Sequence, residues 1–222
     1  MPFLKKIKKK YDDKEIEKDD AKVLDLLLFW QDHGFLRTIW HNEYLIDTNV
    51  MRSNQPSFKR LKKWKQLGFN DVMNLRETNS SYTKLEKVHC DKLGIRMWNV
   101  PLVSARPITF EEISTTVDTF RKIDTPFVMH CKSGADRTAL ASGLYLAAIK
   151  EANISDITAM FSLRFAHMTW GKRNACMQTF LDYAKFSERR SVNFLTWAEQ
   201  YYCPEETMQN FLRRQQRSQK IN

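Results

Sequence analysis

Nowhere in the 222 residues is there an apolar run of the roughly 20 residues that a membrane-spanning helix needs. The run from Val23 to Trp30 is short and is broken by Asp25. No secretory leader is expected either, because the basic start Met1 to Lys10 is followed by the charged stretch Asp12 to Asp20 instead of an apolar core. Cysteine is scarce. The four residues Cys90, Cys131, Cys176 and Cys203 form no CxxC pair, which argues against a zinc cluster or a disulfide scaffold and fits a reducing, cytoplasmic setting. No third ligand accompanies His33 and His41, so both read as structural or surface histidines and no metal is expected. Internal repeats and low-complexity segments are also lacking.

What is present is basic and apolar together. The net charge of +10 gathers in Lys5 to Lys10, Lys59 to Lys65 and Arg213 to Lys220. Such a balance favours anionic partners, ranked as a phosphorylated substrate, then an acidic membrane surface, then nucleic acid. No aromatic-and-basic recognition motif accompanies the charge, so no nucleic-acid partner is expected. A hydrophobic content of 42% with six Trp supports a packed core.

The densest chemistry lies in Val128-Met129-His130-Cys131-Lys132-Ser133-Gly134-Ala135-Asp136-Arg137-Thr138. Pro126 to Met129 reads as a short buried strand, and the apolar period from Ala139 to Ile149 reads as a helix. The loop therefore joins a strand end to a helix start, where backbone N–H groups have no intrahelical partners and the helix dipole is positive. A turn eased by Gly134 aims several of those groups at one anion, and Arg137 adds a bidentate clamp that Lys does not imitate. The same field favours a thiolate at Cys131. A buried structural Cys is the plain alternative. The His, Gly, Arg and Thr at these offsets share no packing purpose and weigh against it.

His130-Cys131, five residues, then Arg137-Thr138 resembles the signature loop of cysteine-based (C-x5-R) phosphatases, and its compactness resembles the bacterial dual-specificity and tyrosine phosphatase-like branch. Arg52-Ser53-Asn54-Gln55-Pro56 and Asn74-Leu75-Arg76 are similar to segments of that bacterial group. The resemblance covers about residues 44 to 185. It implies an α/β fold, dual-specificity phosphatase-like, with a short, mainly parallel central sheet flanked by helices and with extra N- and C-terminal helices. The expected organisation is a basic N-terminal segment and added helix over 1–43, a phosphatase domain over 44–186 and a helical extension over 187–222.

Along the chain, Phe3, Leu4 and Ile7 among five Lys suggest an amphipathic stretch in residues 1–11 that touches anionic lipid, with a solvated terminus as the alternative. A helical pattern runs from Ala21 to about Trp40 and is expected to pack on the domain. Short strands are expected in Tyr44 to Met51, Asp71 to Arg76 and Ile95 to Leu102. The helix after Pro56 presents Phe58, Leu61, Trp64 and Leu67 as its buried stripe, and the helix Thr83 to Leu93 ends at Gly94. After the loop, helices are expected over Ile154 to His167, Arg173 to Phe186, Val192 to Tyr202 and Pro204 to Arg217. Strands alternating with helices give a mainly parallel sheet, whose ligands bind beyond the carboxyl ends of the strands.

A phosphate monoesterase also needs a proton donor for the leaving oxygen. Many members of the family carry an Asp on a loop before the Cys, but Asn99 to Pro107 contains no acid. Asp124 precedes the Cys strand and lies at its far end. Glu111 and Glu112 open the helix after Pro107 and serve equally well as dipole partners. Asp136 matches the in-loop Asp of myotubularin-type lipid phosphatases, which implies the acid role; helix capping is the alternative. The resemblance further implies catalytic Cys131, Arg137 and Asp136. Lys132, Ser133, Gly134, Ala135 and Thr138 bind substrate, with His130 orienting the loop and Thr138 bonding the sulfur. Lys132 with Arg106 is expected to favour a second phosphate or an acidic headgroup, with a solvated Lys as the alternative, and the loop Met168 to Arg173, with Trp170, Lys172 and Arg173, is expected to line the same pocket. Arg76 reaches a phosphorylated substrate or forms a structural ion pair with Glu77 or elsewhere.

The implied function is hydrolysis of phosphate monoesters through a Cys131 thiol-phosphate, with no cofactor. The substrate is a phosphotyrosine or phosphoserine protein, or a phospholipid, phosphoinositide or lipopolysaccharide phosphate. The expected location is cytoplasmic, extending to the inner face of a membrane. Two rivals stand beside this reading: a catalytically weak phosphate-binding adaptor, or pseudophosphatase, motivated by the missing upstream Asp, and sulfur transfer by a rhodanese-like Cys.

Overall fold

A computed structural model describes residues 11–12, 16, 20–31, 34–123, 126–168 and 171–221. Most of the basic amphipathic stretch (1–10), His33, Asp124 and Trp170 lie outside the described residues. The chain divides into two compact units, one of residues 1–101 with 123–134, the other of 102–122 with 135–222.

The first unit holds the sheet. Helices α1 (Asp20–Gln31) and α2 (Leu36–Ile39) precede strands β1 (Tyr44–Asp47) and β2 (Val50–Asn54). The two strands form an antiparallel hairpin across Thr48-Asn49, where Asp47 accepts a hydrogen bond from the Thr48 N–H at 2.6 Å. Helix α3 (Phe58–Gln66), strand β3 (Asp71–Asn74), helix α4 (Ser81–Leu93), strand β4 (Arg96–Asn99) and strand β5 (Phe127–Cys131) follow. The strand order is β1-β2-β5-β3-β4, and every pair except β1 with β2 is parallel. This is a mixed α/β fold with a central sheet flanked by helices. Strand β5 is buried along its whole length, as the unbroken apolar run Phe-Val-Met suits.

Register explains the core on one face. Met51, Val128 and Val72 stand side by side on neighbouring strands. Leu61 and Trp64 of α3 and Cys90 of α4 close over them. Fully burying an aliphatic or aromatic side chain of this size is worth roughly 1.5–3 kcal/mol. The α3 stripe is narrower than the periodicity suggests, since Phe58 and Leu67 are exposed. Phe58 instead lies edge-on to His89 of α4. Of α1, Ala21 and Leu24 pack with Leu85, whereas Val23, Leu26 and Trp30 are exposed.

Parallel pairing brings the carboxyl ends of β2, β3, β4 and β5 to one edge, where they finish in Asn54, Asn74, Asn99 and Cys131. The asparagines hold the chain as it leaves the sheet. Asn54 donates to the Trp40 carbonyl at 2.6 Å, Asn74 accepts from the Arg76 N–H at 2.7 Å, and Asn99 donates to the Asn74 and Arg76 carbonyls.

The second unit is helical among the described residues: α5 (Phe110–Lys122), α6 (Asp136–Ala148), α7 (Ile154–Ala159), α8 (Ala175–Ser187), α9 (Phe194–Gln200) and α10 (Pro204–Ile221). Residues Thr138 to Ala147 of α6 are buried on every side, so this is its central helix. Phe180 stacks on Phe194, to which Tyr183 lies edge-on, and Tyr183 also meets Trp197 at a tilt. The helix expected to run from Ile154 to His167 stops at Ala159. The apolar period carries on, but the chain tightens into a 3-10 turn at Leu163–Phe165, which Ala166 ends in the left-handed region. Among the described residues, no helix is long and apolar enough to cross a membrane.

Candidate active site

Gly134 divides the Cys-to-Arg loop, with Cys131 to Gly134 in the first unit and Ala135 onward in the second. In the first part, three successive carbonyls are taken by donors from β2 and its flanks. The Gln55 N–H donates to Lys132 O at 3.2 Å, Asn42 Nδ2 to Ser133 O at 3.1 Å and Arg52 Nη2 to Gly134 O at 2.8 Å. A trans peptide holds its N–H opposite its C=O. The amides of Ser133, Gly134 and Ala135 therefore face away from these donors. Gly134 makes the turn with φ of +73°, and a Cβ there would stand 2.8 Å from Ser53 O and 2.9 Å from Asn54 N. Both its backbone angle and its closeness to β2 require glycine.

Arg52 is a fully buried cation in the middle of β2. Burial pulls its guanidinium down to about 10, and the charges of Cys131 and Tyr44 oppose that shift. The sequence reading passed over Arg52 as part of a motif. Its signal was an Arg directly after the apolar pair Val50-Met51 in a short strand.

Behind Cys131, His130 Nε2 pairs with Glu86 at 2.7 Å, both side chains being buried, and Nδ1 stands 3.4 Å from the Cys131 carbonyl. Glu86 also accepts from Asn74 Nδ2 at 2.9 Å and from Gln55 Nε2. Arg76 Nη1 donates in turn to Gln55 Oε1 at 3.0 Å, with its guanidinium 4.1 Å from the Tyr82 ring. Arg76 is thereby tied into this buried network. A buried carboxylate is retained because both of its oxygens find donors.

In the second unit, α6 starts at Asp136, and no side chain caps it at Ala135. Asp136 Oδ1 lies 2.9 Å from His167 Nδ1, and Oδ2 lies 3.9 Å from Arg173 Nη1. His167 Nε2 meets Asn174 Oδ1 at 3.0 Å. The Thr138 hydroxyl is buried without a hydrogen-bond partner among the described residues, while the Thr138 carbonyl accepts from Ser142. Arg137 and Lys132 are half-buried and Ser133 is exposed. Neither His167 nor Asn174 was singled out in the sequence, because nothing local marks a His 31 positions from its partner.

The rival carboxylates are placed differently. Glu112 accepts from both terminal nitrogens of Arg106, at 2.8 and 2.7 Å, and forms a reciprocal cap with Thr109. Burial raises its carboxyl, but the hydrogen bonds from Arg106 and Thr109 outweigh burial and leave it below the ordinary range. That suits an ion pair and disfavours a proton donor. Arg106 is thereby committed to Glu112, and Glu111 is exposed. Of the other thiols, burial pushes Cys90 and Cys176 well up, for Cys176 with help from Asp136. The first unit also holds a cavity of about 830 Å3 with Lys59, Lys62 and Lys63 at its wall. It reaches Gln55 and Glu86 but none of residues 130–138. No cluster of three metal-ligating side chains occurs among the described residues.

No family model matches the sequence, and no curated protein matches it. Solved structures do. P. aeruginosa TpbA is similar with a TM-score of 0.51 at 16% identity, over 67% of this chain and 92% of TpbA. A cysteine-to-serine variant of TpbA in complex with pTyr is similar with the same score and identity, over 67% and 91%. A DUF442 protein of Shewanella putrefaciens CN-32, described as a candidate phosphatase, reaches 0.52 at 16% identity over 64% and 90%. At this identity the likeness shows a shared fold.

Proposed function

We propose that this protein is a cysteine-dependent phosphatase that hydrolyses phosphate monoesters. The observation that carries the reading is the outward pinning of three successive loop carbonyls, which turns the amides of Ser133, Gly134 and Ala135 to the other side of a loop that begins with a Cys. The uncapped start of α6 supports it, since uncapped helix amides attract anions.

In this mechanism the Cys131 thiolate attacks phosphorus, the P–O bond to the leaving group breaks, and Asp136 gives its proton to the departing oxygen. The loop amides and the Arg137 fork hold the three remaining phosphate oxygens, the largest electrostatic contribution in such transfers. Water then attacks the thiol-phosphate, Asp136 takes a proton back, and the S–P bond breaks. The unpartnered Thr138 hydroxyl suits a hydrogen bond to the departing sulfur. Lys132 adds positive charge at the mouth, and His130, held by Glu86, orients the loop.

The substrate class is a phosphate monoester on protein or lipid. TpbA is known in complex with pTyr, which favours testing phosphotyrosine first. The basic surface favours a lipid phosphate at the inner face of a membrane. Purified protein should hydrolyse an aryl phosphate, and Cys131→Ser should abolish turnover. A wild-type protein that binds phosphate but never turns it over would establish the adaptor reading instead. Comparing a phosphotyrosine peptide with phosphoinositide vesicles separates the two substrate sources.

A further inference from the structure

The second unit contains one buried polar arrangement that the proposed mechanism leaves unused. His167 has no exposed side-chain surface, yet it does not serve the core as an apolar filler. Both ring nitrogens are engaged. Nδ1 stands 2.9 Å from Asp136 Oδ1, and Nε2 stands 3.0 Å from the side-chain amide of Asn174, itself buried at the start of α8. Phe161 lies edge-on to the ring at 5.2 Å and fixes its plane. Asp136 is the half of the pair that meets solvent, its side chain 17% exposed.

We propose that His167 is a positioning residue for the proton of Asp136. It donates Nδ1–H to Oδ1, so that Oδ1 is always the acceptor oxygen and Oδ2 is the one that carries and delivers the proton. The inference rests on the phosphatase reading above. A carboxyl group free to rotate presents either oxygen with its proton, and half of its orientations are unproductive. A hydrogen bond from a ring that is itself clamped removes that freedom. Asn174 completes the clamp: its Oδ1, as placed, accepts from Nε2–H, and with the amide turned over its NH2 donates to a bare Nε2.

Proton bookkeeping is simple. In the first step the proton on Oδ2 passes to the leaving oxygen, the O–H electron pair remains on the carboxylate, and the Nδ1–H bond to Oδ1 steadies the new charge. In the second step water gives a proton to Oδ2. His167 begins and ends each step unchanged.

The other groups facing Asp136 do not offer this. Arg173 Nη1 stands 3.9 Å from Oδ2 on a side chain 78% exposed, so it is loosely held. Cys176, on α8, is a neutral buried thiol that burial keeps protonated. Arg137 is next to Asp136 in the chain and is assigned to the phosphate.

The test uses the full chain and two substrates, p-nitrophenyl phosphate with a good leaving group and an alkyl phosphate with a poor one. His167→Ala should lower kcat on the alkyl phosphate on the order of tenfold to a hundredfold, part of the 10²–10⁴ that general acid catalysis supplies. On p-nitrophenyl phosphate it should change kcat less than about threefold, because that leaving group needs little protonation. His167→Asn, whose amide NH2 takes the place of Nδ1–H, should restore much of the loss.

A 15N–1H correlation spectrum of the unmutated protein gives a readout besides activity, in which Nδ1 of His167 should carry a proton whose signal moves in Asp136→Asn. A bare Nδ1, equal losses on both substrates, or no recovery in His167→Asn overturns the inference. Failure of the underlying reading looks different. There the unmutated protein is inactive, or Asp136→Asn itself shows no leaving-group dependence.

Discussion

The two units hold their parts of the loop by different physics. In the first, Cys131 to Gly134 are fixed through main-chain carbonyls and fully buried charges, with Arg52 on Gly134 and Glu86 on His130. In the second, Asp136 opens a helix whose start is uncapped, and its contacts are side chain to side chain and partly open to water. A buried charge stripped of its partner is costly, whereas an ion pair at the surface is worth little. The Cys131 end of the loop is accordingly rigid. The Asp136 end is open enough for the proton exchange that the proposed mechanism requires.

That contrast predicts a ranking. Glu86→Ala strands His130, Asn74 and Gln55 without their shared acceptor, and it should cost roughly 3–5 kcal/mol in a chemical denaturation curve. A loss below about 1 kcal/mol would erase the claim that the first unit is held by buried charge. Next comes Arg137→Lys, which keeps the charge and loses the fork. We expect kcat/KM on an aryl phosphate to fall by about 10²–10³ with the melting temperature nearly unchanged. An equally large fall in stability would mean that Arg137 belongs to the architecture.

Gly134→Ala forces a Cβ against β2 at a positive φ, and a destabilisation of roughly 1–3 kcal/mol is expected from the midpoint of urea unfolding. Should it prove neutral, the loop is softer than its carbonyl bonds imply. The smallest effect belongs to the second unit. Glu112→Gln should cost about 0.5–1 kcal/mol at neutral pH, since the pair with Arg106 is partly exposed. The Glu112 carboxyl lies below its ordinary value of 4.5 in the folded protein. Its stabilisation is therefore complete above that value and disappears as pH falls through the lower, folded one. Melting both proteins from pH 7 to pH 3 should show the two curves converging, and a constant gap would contradict the sign.

Local patterns in the sequence carried the strand–loop–helix arrangement around Cys131, the strand–helix alternation that predicts a mainly parallel sheet, and the glycine at which α4 ends. Each depends on residues a few positions apart. The over-long helix from Ile154 shows the limit of that method, because apolar period alone does not reveal where packing turns the chain. So do Phe58 and Leu67, periodic with the core yet exposed.

The partners that make the loop a site were not legible for the same reason. Glu86 meets His130 across 44 positions, and Arg52 meets Gly134 across 82. No periodicity relates such pairs; the parallel register of β2, β5 and β3 does. Nor did the sequence show the surroundings of Glu112 and Asp136. The distinction lies in what each carboxylate touches, an arginine fork in one case and a buried imidazole in the other.

By itself, then, the sequence determined the strand, loop and helix around Cys131, the strand–helix alternation of the sheet, and that a Cys and an Arg share one short loop, because local propensity and burial are written in neighbouring residues. Only the tertiary structure decided which way that loop's carbonyls turn, which charges are buried behind the thiol, and which histidine meets Asp136. Those are contacts between distant segments, and their energies exist only once the sheet and the helices have packed.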